Sequence, residues 1–196
     1  MVGTDDGAVE SDLVGGRLAC PGCGGALGPW GHARWRVLRR RAAEVRLRPR
    51  RGRCRSCRRT HVLLGDHSLI RRRDDADKIV CALVERAQGA GYRRIATALG
   101  MRKVAETVRG WLRAFAKAAE VIRVHFTRWA YALDPDLDPV APHGDPVGDA
   151  VEAMAVAARA AVQRHGPIPP SARVARLSGG ALLCHTSYPL PAPPGL

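Results

Sequence analysis

Two Cys-x-x-Cys pairs constrain this 196-residue chain more than any other feature. Cys20 and Cys23 form the first pair, Cys54 and Cys57 form the second, and 30 residues lie between the pairs. Two such loops can place four thiolates in a tetrahedron around one ion, which describes a closed structural zinc site with no open position for catalysis. The sequence therefore predicts a structural Zn²⁺ ion at these four cysteines. The alternatives are two disulfides or free thiols.

The N-terminal sequence bears on the cellular compartment and so on the state of the cysteines. Residues 1–16 contain no apolar run and no basic segment, and we expect no signal peptide. No stretch reaches the roughly 18 apolar residues of a membrane helix. We expect a cytoplasmic protein with no membrane partner, where cysteine pairs favour a metal over disulfides. His61 is an alternative ligand, but four thiolates make it unnecessary.

Positive charge is concentrated in the middle of the chain. The formal net charge is +14 and the sequence pI is about 10.8. Residues 20–128 hold 27 Lys and Arg against 8 Asp and Glu, whereas acids outnumber bases on both sides. Such a block is typical of a phosphate-binding surface. An Arg-rich genome would explain Arg over Lys, but not the scarcity of acids in this segment.

Apolar patterning predicts a mainly α fold with a small β zinc ribbon. Alternation over residues 35–38 and 44–48 predicts a hairpin with its tip at 39–42, and residues 61–64 predict a third strand. The segments expected are a disordered N-terminal tail (1–16), the zinc ribbon (17–66), a helix-turn-helix unit (74–131), a linker (134–148), an Ala-rich helix capped by Asp149 (149–165) and a Pro/Gly-rich tail (166–196).

The unit at 74–131 is predicted to contain three helices. Asp74 or Asp75 caps the first helix, the second covers residues 92–99, and the third runs from about 103 to 119 with an extension to 131. The last two meet at a Gly turn, and the third has a basic outer face, which is a helix-turn-helix pattern. Such a helix fits the major groove of double-stranded DNA. The alternative is a plain three-helix bundle with a solvated basic face.

The candidate DNA contacts come from all three parts of this basic region. Arg109 and Arg113 suit guanine edges or phosphates, and Glu106 can accept a hydrogen bond from the cytosine amino group. Thr107, the two arginines of the second helix and the ribbon arginines suit the phosphate backbone. The full set is Lys103, Glu106, Thr107, Arg109 and Arg113 on the third helix, Arg93 and Arg94 on the second, and Arg46 and Arg48 in the ribbon.

Residues 91–100 (GYRRIATALG) and 107–113 (TVRGWLR) resemble the helix-turn-helix of bacterial transposases. A four-cysteine ribbon before this unit is similar to the N-terminal DNA-binding region of insertion-sequence transposases. The whole layout is closer to that of a family of uncharacterised actinobacterial proteins with a ribbon, the same helical unit and a short Ala-rich C-terminal part. The resemblance covers residues 17–130 and implies DNA binding.

The chain departs from active transposases, whose nuclease domain uses three separated carboxylates and two metal ions. The 65 residues after Tyr131 are too few for that domain, and Asp134, Asp136 and Asp138 lie in a Pro-rich linker. We therefore expect no enzyme, but a zinc-containing DNA-binding protein associated with the nucleoid, either a regulator or a transposase-derived module. The alternative is an accessory protein whose ribbon binds protein or RNA. Packing of the Ala-rich helix on a second copy leaves a homodimer open.

Overall fold

The computed structural model describes residues 2–3, 6–184, 186–187 and 189–193. These residues form a mixed fold of helices and two small antiparallel sheets. The helices are α1 (Asp6–Val14), α2 (Ala76–Ala87), α3 (Tyr92–Ala98), α4 (Ala105–Leu133), α5 (Pro146–His165) and α6 (Pro170–Leu177), with a 3₁₀ turn at Arg102–Val104. The strands are β1 (Leu27–His32), β2 (Arg36–Arg39), β3 (Glu44–Leu47), β4 (Arg50–Cys54) and β5 (Thr60–Val62).

The ribbon contains a three-stranded sheet and a separate hairpin. Strand β4 pairs antiparallel with both β1 and β5, and β2 pairs with β3. The hairpin and the last strand lie within two residues of the predicted positions. Strands β1 and β4 were not predicted, because their sequences (LGPWGH and RRGRC) are rich in Gly, Pro and Arg. Pairing across the sheet overrides this weak local preference.

The N-terminal segment is helical, and the expectation of disorder is wrong for Asp6–Val14. Val9 and Leu13, four residues apart, are buried against Leu27 and two of the cysteines. A Cβ on Gly52 would lie 3.1 Å from Cδ2 of Leu13, so the glycine allows close approach of the helix to β4. A short acidic helix is unstable alone, and this one is ordered by the apolar surface that it covers.

Two adjacent carboxylates at the start of α2 have different roles. Asp75 caps the helix by accepting a hydrogen bond from the Lys78 backbone N–H at 3.0 Å. Asp74 is buried and accepts a hydrogen bond from Arg39 Nη2 at 2.7 Å. Strand β2 is therefore tied to the beginning of the helical region by an ion pair.

Helix α4 is the longest element of the fold. It begins at Ala105, after the 3₁₀ turn, and runs to Leu133, so the predicted extension is present. Gly100, with φ of +68°, lies in the turn that follows α3. Apolar residues at the helical period are buried at Val108, Trp111 and Phe115, and this stripe continues through residues 122–130. At 1.5 Å per residue the helix spans about 43 Å.

The C-terminal part differs from the prediction at two points. The Ala-rich helix begins at Pro146, because Asp145 rather than Asp149 caps it by accepting from the N–H groups of Val147 and Gly148. Residues 170–177 form α6 instead of an irregular tail, and Leu177 and Leu182 are buried in the main core.

Helix α5 packs along α4 and also contacts α2 and α6. Its buried face is made mostly of alanines, whose small side chains permit close packing of the helices. The core shared by α2–α6 therefore accounts for the apolar face of the Ala-rich helix within one chain. No described helix combines the length and apolar character needed to cross a bilayer.

Candidate metal centre and basic surfaces

The two cysteine pairs lie in loops of matching geometry. In the first loop the Cys20 N–H donates to the Gly25 carbonyl at 2.8 Å, and in the second the Cys54 N–H donates to the Arg59 carbonyl at 2.9 Å. The residue after each second cysteine, Gly24 or Arg58, has a positive φ of +72° or +64°. Each loop therefore turns its two sulfurs to the same side.

The structure brings the four predicted ligands together. Their sulfur atoms all lie within 4.8 Å of one another. The Sγ atoms of Cys20 and Cys57 are 3.7 Å apart, and those of Cys23 and Cys54 are 3.5 Å apart. Four sulfurs at about 2.3 Å from a tetrahedral ion would be about 3.8 Å apart, so the donor set fits one metal ion. These distances are too long for disulfides, and the thiols are free.

The cluster is enclosed on one side. Cys20 and Cys54 are buried in the small core formed with α1 and β1, whereas Cys23 and Cys57 are exposed. His61 on β5 places its Nε2 atom 3.4 Å from Cys20 Sγ, within hydrogen-bonding distance of the sulfur. The histidine thus contacts a ligand sulfur, and the four sulfurs form the cluster without replacement by His61.

The local hydrogen bonds separate the acidities of the two cysteines in the second loop. The Cys57 backbone N–H, which lies 3.4 Å from Cys54 Sγ, lowers the pKa of Cys54 to about 6. The Arg59 N–H lowers the pKa of Cys57, but the neighbouring Cys23 sulfur, together with partial desolvation and the sulfurs of Cys54 and Cys20, outweighs it and raises that pKa to about 11. Crowding of sulfurs therefore disfavours a second thiolate unless a cation offsets the charge.

The carboxylates of the linker do not form a comparable site. Among the described residues, the four cysteines are the only set of three or more His, Cys, Asp or Glu side chains close enough to share an ion. Asp134, Asp136 and Asp138 lie outside it, in the segment between α4 and α5.

The predicted contacts on the helical unit lie around the start of α4. Lys103, Glu106 and Arg113 are exposed, and Thr107 is half-buried. Arg109 Nη1 donates to Glu106 Oε2 at 3.1 Å.

Tyr92 joins the start of α3 to this region. Its ring centroid lies 5.7 Å from the Arg109 guanidinium carbon and 5.6 Å from that of Arg93. Arg94 is exposed on the same short helix. Two of the predicted arginines therefore contact one aromatic ring, Tyr92, which was not among the predicted contact residues.

The two predicted ribbon contacts lie on a different surface, on and beside the hairpin. Arg46 and Arg48 are exposed, and their guanidinium carbons lie 5.5 and 5.9 Å from the Trp35 ring centroid. The sequence signal for this arrangement was available: a tryptophan beside one strand and arginines at alternate positions along its partner.

The chain matches no protein-family profile, no curated protein and no solved structure.

Proposed function

We propose that this chain is a zinc-containing protein that binds double-stranded DNA through a helix-turn-helix formed by α2, α3 and α4. The observation that carries the proposal is the cluster of cationic side chains at the start of α4. Lys103 and Arg113 are exposed there, Arg109 is partly exposed, and Arg93 and Arg94 lie nearby on α3. Glu106 is an acidic residue within this cluster, and it forms an ion pair with Arg109.

The spacing of these residues supports a reading role for α4. Positions 106, 109 and 113 follow one another at three and four residues, which places them on one face of a helix. The apolar face of the same turns is buried at Val108 and Trp111, so the basic face is directed outwards. An outward basic face at a helix start can reach base edges in the major groove, with Arg109 and Arg113 at guanine or phosphate.

The ribbon has a supporting role in this proposal. A Zn²⁺ ion at the four cysteines would stabilise a segment with little apolar core, and it would take no part in chemistry. Arg46 and Arg48 then add phosphate contacts that do not depend on sequence. The protein acts without a catalytic domain, as a regulator or a module related to the DNA-binding region of transposases. We place it in the cytoplasm at the nucleoid.

The first experiment is selection from a random duplex pool by the zinc-loaded protein at about 0.15 M salt, where weak phosphate-only binding is suppressed. We expect enrichment of a motif, and a palindromic motif would indicate a homodimer. Retention without enrichment would contradict base reading. No retention would favour an accessory protein whose ribbon binds protein or RNA.

A matched pair of variants on α4 tests where the reading takes place. Arg109 pairs with Glu106 and its side chain is 41% exposed, while Arg123 pairs with Glu120 and is 39% exposed. The two arginines are 14 residues apart, about 21 Å along one helix and on nearly the same face. Arg109→Ala should cost about 1–3 kcal/mol at the matched base and relax the motif, whereas Arg123→Ala should change neither. Equal effects would contradict the proposed orientation.

A further inference from the structure

One face of the β2–β3 hairpin combines an exposed tryptophan with two arginines. Val37 and Arg46 are register partners, so their side chains lie on the same face of the hairpin. Trp35 lies two residues before Val37 and Arg48 lies two residues after Arg46, each just beyond the end of its strand. Continued alternation would place both side chains on the same face. The ring–guanidinium distances of 5.5 and 5.9 Å agree with this placement. We call these four residues the Trp35 face.

The packing of the hairpin directs this face outwards. Leu38 lies on the opposite face and is 2% exposed, whereas Trp35 is 59% exposed. The hairpin is also fixed at one strand end, because Arg39 forms its ion pair with Asp74 at the start of α2. The orientation of the Trp35 face therefore follows from the contacts that attach the hairpin to the protein.

The charge of the Trp35 face is suited to a polyanion. Arg48 Nε donates to the Ala33 carbonyl at 3.4 Å, which holds this guanidinium beside the ring. Among the described residues, no carboxylate lies within ion-pair distance of Arg46 or Arg48. Glu44, at the tip end of β3, is the acidic residue of the hairpin. An exposed aromatic ring thus lies beside two cations that form no ion pair with a described carboxylate.

We propose that the Trp35 face binds an unpaired segment of single-stranded DNA, with a base stacked on Trp35 and the flanking phosphates at Arg46 and Arg48. Base stacking on an exposed aromatic ring, combined with cations along the backbone, is the general mode of single-strand binding. Bases in a duplex are stacked on one another and do not offer a free ring face. The single strand would use Arg46 and Arg48, which are also the proposed phosphate contacts of the ribbon to duplex DNA. Stacking on Trp35 distinguishes it from the duplex, and it does not require the duplex-reading surface of α4.

A second tryptophan in the ribbon provides a matched comparison. Trp30 on β1 is 48% exposed, and the Arg53 guanidinium carbon lies 4.4 Å from its ring centroid. Arg53 Nε donates to the Arg58 carbonyl at 3.2 Å. Trp30 thus resembles Trp35 in exposure, but it has one stacked arginine instead of two, and its neighbours along the strand are Pro29 and Gly31.

The test measures fluorescence anisotropy of a labelled 12-nucleotide single-stranded DNA and of its duplex with the full, zinc-loaded chain. Trp35→Ala should weaken single-strand binding about 5- to 100-fold and leave duplex binding within about twofold. Trp35→Phe should retain most of the single-strand affinity, which separates loss of stacking from loss of folding. Trp30→Ala should change single-strand affinity by less than about twofold. Zinc content and circular dichroism verify that each variant is folded.

Several results would overturn this proposal. Equal losses for Trp35→Ala and Trp30→Ala would show that no particular face binds the strand, and unchanged affinity in Trp35→Ala would exclude stacking there. Displacement of the oligonucleotide by polyglutamate at equal charge would reduce the interaction to charge alone. Tenfold tighter binding of an RNA of the same sequence would assign the face to RNA instead. Arg109→Ala should leave single-strand affinity unchanged, so failure of the duplex proposal is distinguishable from failure of this one.

Discussion

The ribbon and the helical region differ in how much apolar surface they bury. Among the described residues, the ribbon cluster contains five buried side chains, and two of them are the metal-site cysteines. The cluster of α2–α6 contains thirty, including Trp111, Phe115 and Phe126. A core as small as that of the ribbon cannot offset the entropy of ordering its chain, whereas the helical core can. If the four cysteines hold a Zn²⁺ ion, as we propose, the ion would stabilise the ribbon as apolar packing stabilises the helices.

The strongest way to break this comparison is to remove a metal ligand. Cys54→Ser should abolish stoichiometric zinc and unfold the ribbon, because a structural site contributes about 10–16 kcal/mol of apparent binding free energy. Hydrogen exchange resolved by peptide should rise in β1, β4 and β5 and stay slow in α4 and α5. Cys184→Ser, at a half-buried cysteine outside the cluster, is the control. Full zinc content in the Cys54 variant would refute the site.

The converse change weakens the helices and spares the ribbon. Phe115 is fully buried on α4, and Phe115→Ala should lower the free energy of unfolding of the helical region by about 3–5 kcal/mol. Zinc content should not change. The exposed Val121, on the same helix, gives a control in Val121→Ala with little effect. Loss of zinc in the Phe115 variant would mean that the two regions fold as one unit.

A smaller effect is expected where α1 covers the ribbon. Leu13 is fully buried against Leu27 and Gly52, and Leu13→Ala should cost about 2–4 kcal/mol. The cost should fall on the ribbon, as faster exchange in β1 and β4 and easier removal of zinc by a chelator. Val14→Ala, at the neighbouring exposed position, should behave like the parent. Equal chelator sensitivity in both variants would contradict a structural role for α1.

The smallest expected effect is a pH dependence confined to the helical region. Burial lowers the pKa of His125, whose Nε2 lies 2.9 Å from the Leu177 carbonyl oxygen. The folded state therefore binds fewer protons than the unfolded chain, whose histidine has a pKa of about 6.5, and stability falls as the pH drops below that value. His125→Gln should reduce the loss in free energy of unfolding between pH 7.5 and 5.5. An equal loss of unfolding free energy in the parent and in His125→Gln would contradict this role of His125. Any pH dependence of the ribbon is common to the two proteins and cancels in the comparison.

The features of this chain that follow local rules of residue spacing could be predicted from the sequence. The cysteine spacing specified the four sulfurs that cluster, and the alternation around the Arg-rich tip specified the hairpin. The apolar stripe of α4 was visible because its period is helical. The duplex-binding role of the basic residues stays a prediction.

The errors occurred where an element depends on its neighbours. Helix α1 and strands β1 and β4 lack a strong local preference, and α6 lies in a segment whose prolines suggested a tail. The start of α5 was misplaced because two aspartates are plausible caps, and the geometry of Pro146 favours Asp145.

By itself the sequence determined the set of four clustered cysteines, the basic character of residues 20–128 and the main helices, since these depend on residue type and spacing. The tertiary structure decided which aromatic rings meet which arginines, that α1 and α6 belong to cores, and that Trp35 points to solvent while Leu38 does not. These features depend on contacts between residues far apart in the chain. The stabilising free energy of these contacts arises only when the elements pack together, so a local sequence pattern does not predict it.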